Sequence, residues 1–274
     1  MSNQKRLFLD TATQIARQWH SPPTRYEISQ QIKNCKLYCS RYVKCQYKAT
    51  LLDSLIKLHN LRLRSEDLLE AVQKVTEGRY SQEAGGKLTA GVLVRVIDIA
   101  YWISREYKTF DEQVGRLKDL IEDGWEVFFE DGLELPLIDE TACVYAEGDT
   151  ERGESGAYKP IRISCRKDMP PGCMIQQFWD DNRIQLEALA NMDIGGIKVK
   201  QKDSRELQNI KENAEAITKN DSPYGQRCTV YLSDAIICIE STHCPEQPVA
   251  VHSINRKHFW PLGEILGIEC EPKD

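Results

Sequence analysis

Residues 25–44 read RYEISQQIKNCKLYCSRYVK, and the reading of this stretch decides the fold expected for the whole N-terminal half. Ile28 and Ile32 are four residues apart, with the small Ser29 between them, so one face of a short helix is apolar there. Thr24 is a plausible N-cap, and Glu27 three residues on completes a capping box. Lys33-Asn34 then interrupts the pattern, and Asn tolerates the left-handed backbone that a turn needs. Beyond it, Cys39 and Tyr42 lie on one side of a second helical stretch. Lys36, Leu37, Ser40, Arg41 and Lys44 lie on the other.

The stretch sits inside a basic quarter. Residues 1–64 hold twelve Lys/Arg against three acids, a net charge of +9, in a chain whose overall net charge is −6. An acidic protein that concentrates positive charge in one segment is expected to meet a polyanion there, because each Lys or Arg beside a phosphate releases a condensed counterion. Residues 111–154 show the opposite bias, with fifteen acids against Arg116, Lys118 and Arg152.

The spacing of Ile28, Ser29, Ile32, Cys39 and Tyr42 resembles the helix-turn-helix of DNA-binding regulators, at the level of a generic motif of about twenty residues. It departs from that motif where Lys33 stands for the usual glycine and Asn34 for the usual apolar residue. The resemblance implies a recognition helix around residues 35–44. Lys36 and Arg41 would be its base readers, with Arg25, Lys33, Ser40, Lys44 and Lys48 also at the DNA. It also implies duplex DNA as partner and a homodimer or a partner regulatory protein, since one such helix reads only a short site.

Helical spacing recurs along the rest of the first half. Arg6–Trp19, Ala49–Asn60, Glu66–Val75, Leu88–Tyr107 and Asp111–Ile121 carry helical spacing, with Thr109 capping the last. After Gly124 short apolar runs alternate with Gly, Pro, Asp and Ser. Cys228–Leu232 and Ala235–Glu240 flank Ser233-Asp234 as a hairpin would, and Val249–Ser253 and Glu264–Ile268 extend the expected antiparallel sheet. Gln177–Ala190 and Arg205–Thr218 look helical. The fold class expected is α+β: a helical half, residues 1–126, bearing the helix-turn-helix, and a mixed α/antiparallel-β half, residues 127–274, for oligomerisation, partner docking or sensing.

Two cysteine groups have some metal-ligand character: Cys35, Cys39 and Cys45 with His59, and Cys228, Cys238 and Cys244 with His243. Buried thiols acting as small apolar residues explain them more simply, so no metal and no cofactor is expected. Phosphate-binding loops, dinucleotide fingerprints and nucleophile elbows are lacking, which points away from the common enzyme classes. The start of the chain has no apolar leader core, and the longest apolar run, residues 91–104, is broken by Arg95 and Asp98. A cytoplasmic protein with reduced thiols and no membrane partner is expected. The function expected is that of a non-catalytic DNA-binding transcription regulator. The alternatives are a protein-interaction adaptor, and a metal-dependent nuclease using Asp139, Glu140, Glu147 and Asp149 with Lys198 or Lys200.

Overall fold

The computed structural model describes residues 4–76, 90–122, 135–144, 150–161, 170–196, 201–221 and 232–273. Its centre is a five-stranded sheet in the order β3-β2-β1-β6-β7, and every neighbouring pair in it is parallel. The strands are β1 (Arg6–Leu9), β2 (Lys36–Ser40), β3 (Leu137–Ile138), β6 (Ala250–His252) and β7 (Cys270–Glu271). A separate antiparallel pair, β4 (Thr150–Arg152) and β5 (Tyr158–Pro160), lies outside it.

β1 occupies the middle because it is apolar on both faces. Leu7, Phe8 and Leu9 are all fully buried, the continuous pattern that parallel strands show when helices cover both sides. Leu7 aligns with Leu37 on one neighbour and with Ala250 on the other. Leu7 and Leu9 pack with Ala250, Ile32, Cys35 and Leu37 on one side of the sheet. Phe8 joins Tyr38, Val251 and the C-terminal helices in the large core on the other.

From β1 the chain runs outward through α1 (Thr11–Trp19) and α2 (Pro22–Gln31) to β2. It continues through α3 (Arg41–Arg62), α4 (Leu68–Thr76), α5 (Ala90–Glu106) and α6 (Phe110–Glu122) to β3. It returns by α7 (Ile175–Asp181), α8 (Arg183–Ala190), α9 (Gln201–Thr218) and α10 (Ser233–Ser241) to β6, on the far side of β1, and ends through α11 (Arg256–Leu266) at β7. Gly267, at φ 66°, closes α11 in the left-handed conformation. α3, α4, α5 and α6 share a second apolar core that also takes in Tyr158 of β5. Asn60 of α3 clamps that strand with a reciprocal pair of hydrogen bonds, donating to the Tyr158 carbonyl (2.7 Å) and accepting from its N–H (2.8 Å).

The mixed class holds, but its central motif does not. Lys36–Ser40 is a buried parallel strand, so the recognition helix expected around residues 35–44 is not formed. Asn34 does take the left-handed turn, at φ 61°, but the turn leads α2 into β2. The central sheet is parallel rather than antiparallel. Ser233-Asp234 opens α10 instead of a hairpin, and residues 264–266 end α11 instead of forming a strand. Arg6–Trp19 splits at Asp10 into β1 and α1. The sheet draws strands from both sides of residue 126. Among the described residues no helix is long and apolar enough to cross a membrane.

Ser40 gives a direct test of the strand assignment. Its hydroxyl accepts from the Val43 N–H at 3.1 Å and so caps α3. Ser40→Ala is expected to lower unfolding free energy by about 1 kcal/mol, measured by urea denaturation. A side chain projecting from a recognition helix into solvent would leave stability unchanged.

Candidate functional site

β1 is the point at which strand order reverses. The chain leaves it toward β2 and β3, and the remaining strands β6 and β7 lie on its other side. In open parallel sheets, the crevice outside the carboxyl ends of the two strands flanking that reversal is where ligands bind, because the connections diverge to opposite faces and leave a gap. In this sheet that position is the ends of β1 and β6, where Asp10 and Ser253 stand, both buried.

Asp10 follows β1 directly and is almost fully buried. Its Oδ1 accepts the Thr13 N–H at 2.7 Å, which caps α1, and its Oδ2 accepts the Ser253 hydroxyl at 2.7 Å. Ser253 Oγ in turn accepts the Asn255 N–H at 2.9 Å, which sets the entry of α11. Burial pushes the Asp10 carboxyl up to about 6. Its hydrogen bonds to Thr13 and Ser253 oppose that rise, and the charge of Asp234 adds to it.

Asp234 lies in the first turn of α10, near enough for its charge to act on Asp10. Its Oδ2 lies 3.0 Å from His258 Nδ1 on α11, and the Asn255 side-chain amide lies 2.9 Å from that ring nitrogen. His258 Nε2 is ion-paired with Glu206 of α9. Hydrogen bonding to Asp234 raises the His258 pKa, burial opposes this, and the charges of Asp234 and Glu206 add to the rise. From the other flank, the Thr11 hydroxyl at the start of α1 donates to Gln46 Oε1 of α3 at 2.6 Å. Around the carboxyl ends of β1 and β6 thus stand Asp10, Thr11 and Ser253, with Gln46, Asn255 and, through His258, Asp234 linked to them by hydrogen bonds.

Hard oxygen donors of this kind suit magnesium or manganese. Among the described residues no group of three or more His, Cys, Asp or Glu is arranged to hold a metal. Two carboxylates nevertheless suffice for magnesium, which keeps several waters and takes substrate phosphate oxygens as its remaining ligands. The charge of Asp234 raises the buried Asp10 carboxyl, and a cation nearby would relieve that.

The residues expected to touch DNA do not share a helix face. Arg25 is exposed on α2 and Lys33 lies in the turn after it. Lys36, at the entry of β2, is ion-paired with Glu246, which also holds Arg6 at 3.0 Å. Ser40 is buried at the other end of the strand, and Arg41 meets Asp139 at 3.1 Å. Lys44 and Lys48 lie along α3. The acids expected of a nuclease are also placed elsewhere: Asp139 faces Arg41, and Glu140 lies 3.7 Å from His243. Glu147, Asp149, Lys198 and Lys200 lie outside the described residues, as does Cys228. Cys35, Cys39 and Cys45 pack in three different apolar clusters.

A second buried acid, Glu240 on α10, faces the ends of β2 and β3. Thr141 Oγ1 donates to its Oε1 at 3.2 Å, and the Ser40 hydroxyl also faces the carboxyl. Burial pushes it up to about 8; Ser40 and Thr141 work against the shift, and Asp139 and Glu140 reinforce it. No protein-family model, no curated protein and no solved structure matches the chain.

The raised Glu240 pKa fixes the sign of a pH effect. Its stabilising contribution is complete below the unfolded value near 4.5 and is lost as pH rises through about 8. Glu240→Gln is therefore expected to unfold at higher urea concentration than wild type at pH 9, by an amount worth a few kcal/mol, with little gain at pH 5. Urea titrations at both pH values measure this.

Proposed function

We propose that the protein is a divalent-metal-dependent nuclease whose centre is the Asp10–Asp234 crevice. The observation that carries this reading is a buried carboxylate, Asp10, at the topological switch point of a parallel sheet, with the charge of Asp234 acting on it. The basic first quarter supplies the second argument. It favours a polyanionic substrate; Lys44 and Lys48 share α3 with Gln46, and the Arg256-Lys257 pair opens α11 directly after Asn255. The polyanion expected from the sequence is thus kept, as substrate rather than as a helix-turn-helix operator, and the chain is read as an enzyme where its sequence pointed to a non-catalytic regulator.

Asp10 and Asp234 would hold the cation, which supplies neutralisation of phosphate charge and a bound water of lowered pKa. Thr13 and Ser253 fix the Asp10 carboxyl, so its direction is set before substrate arrives. His258, itself in contact with the Asn255 side chain, fixes Asp234 in the same way. The reaction is hydrolysis of a phosphodiester: water attacks phosphorus, the bond to one ester oxygen breaks, and that oxygen leaves with a proton.

Incubation of the purified protein with labelled single-stranded RNA and DNA tests this. Cleavage in magnesium or manganese is expected, with loss on chelation and recovery on re-addition. Asp234→Asn is expected to reduce the rate by at least about 100-fold while the protein remains folded by circular dichroism. Binding of these strands without cleavage in any divalent metal would contradict the reading and return the chain to the regulator class.

A further inference from the structure

Eight cysteines fall among the described residues, and none of these eight is in a disulfide. Burial has made several of them inert. It pushes Cys39, Cys244 and Cys270 up to about 12 and Cys238 well above its ordinary value, so thiolate is scarce at these positions. Cys45 and Cys143 are arranged differently. Cys45 is in the first turns of α3, nearly buried, and its Sγ lies 3.2 Å from the carbonyl oxygen of Cys143. The half-buried Cys143 side chain packs against Cys45 and Ala49 and also borders the large core.

The backbone that presents Cys143 is itself unusual. Ala142, the residue before it, has φ 43°, in the left-handed region that a residue with a Cβ avoids. On the other side of Ala142, the Thr141 carbonyl accepts the Met174 N–H at 2.9 Å, and the Thr141 side chain bonds Glu240, so the chain is held on both sides of the strained residue. The strain turns the segment after β3 onto α3 and sets the two cysteines against each other, although they are 98 positions apart in sequence.

We propose that Cys45 and Cys143 form an oxidative modification site, a reversible disulfide made in response to peroxide. The more open Cys143 thiol is oxidised first: peroxide transfers oxygen to its sulfur, giving a sulfenic acid and one water. The Cys45 sulfur then attacks that sulfur, the S–O bond breaks, and a second water leaves, with the two thiol protons accounted for in the two waters. One sulfur already lies against the backbone of the other residue and the two side chains pack together, which places the thiols close enough for the bridge to be tested. The bridge ties the first turns of α3, which carry Gln46 at the crevice, to the segment after β3 that carries Thr141.

Treatment of the full chain with hydrogen peroxide, then alkylation and peptide mapping by mass spectrometry, tests the pairing. A Cys45–Cys143 linked peptide that dithiothreitol removes is the expected result. In Cys45→Ser, Cys143 is expected to accumulate as sulfenic acid and to trap severalfold more dimedone than wild type. In Cys143→Ser, Cys45 is expected to stay reduced. Pairing of Cys143 with a different cysteine overturns the proposal. So does full alkylation of both residues after peroxide has oxidised other thiols in the wild-type chain, an outcome that needs no variant to interpret.

Discussion

The carboxyl of Asp10 is the group on which the rest of the arrangement depends. It ends β1, caps α1 through Thr13, and receives Ser253 where β6 ends. Three separate pieces of the fold are joined by one side chain held almost entirely out of water. An apolar residue of similar size could not supply those acceptors, and the Thr13 N–H and the Ser253 hydroxyl would then be buried without partners. An asparagine could keep the geometry without the charge. The retention of a charge-bearing group, at a burial that pushes it up to about 6, therefore asks for more than a structural account.

The same position explains why the fold was only partly legible in the sequence. α3, α6 and α9 announce themselves, because amphipathic stretches of a dozen residues or more carry their period plainly. The parallel strands do not. Leu7, Phe8 and Leu9 are buried on both faces, so no alternation marks them, and the run merges with the helical spacing that follows Asp10. Lys36–Ser40 is five residues long and borders a true helix, which makes helical spacing across residues 35–44 easy to find and wrong for its first half. α10 fails in the opposite sense. Ala235–Glu240 is buried on every side, and a short, β-branched, uniformly apolar helix reads as a strand.

The site was hidden for a related reason. Asp10 and Asp234 are 224 positions apart, each beside an apolar run, and neither belongs to a spaced motif. Only the strand order brings them together. A carboxylate directly after an apolar run is a weak signal that becomes useful once a parallel sheet is in hand, since the residue then stands at the carboxyl edge. Among the conspicuous acids of residues 111–154, Asp139 pairs with Arg41, and Glu122 with Lys118. The charge asymmetry that dominated the sequence survives as an argument about the substrate's sign, and the chemistry moves to residues of no local prominence.

The central claim is that the Asp10–Asp234 crevice holds a divalent cation, and calorimetric titration of manganese into the protein tests it most directly. Saturable binding in wild type, with binding lost in both Asp10→Asn and Asp234→Asn while each variant stays folded, is the result the account predicts. Manganese binding of unchanged affinity in both variants, or no binding in wild type with substrate-length nucleic acid present, would contradict it.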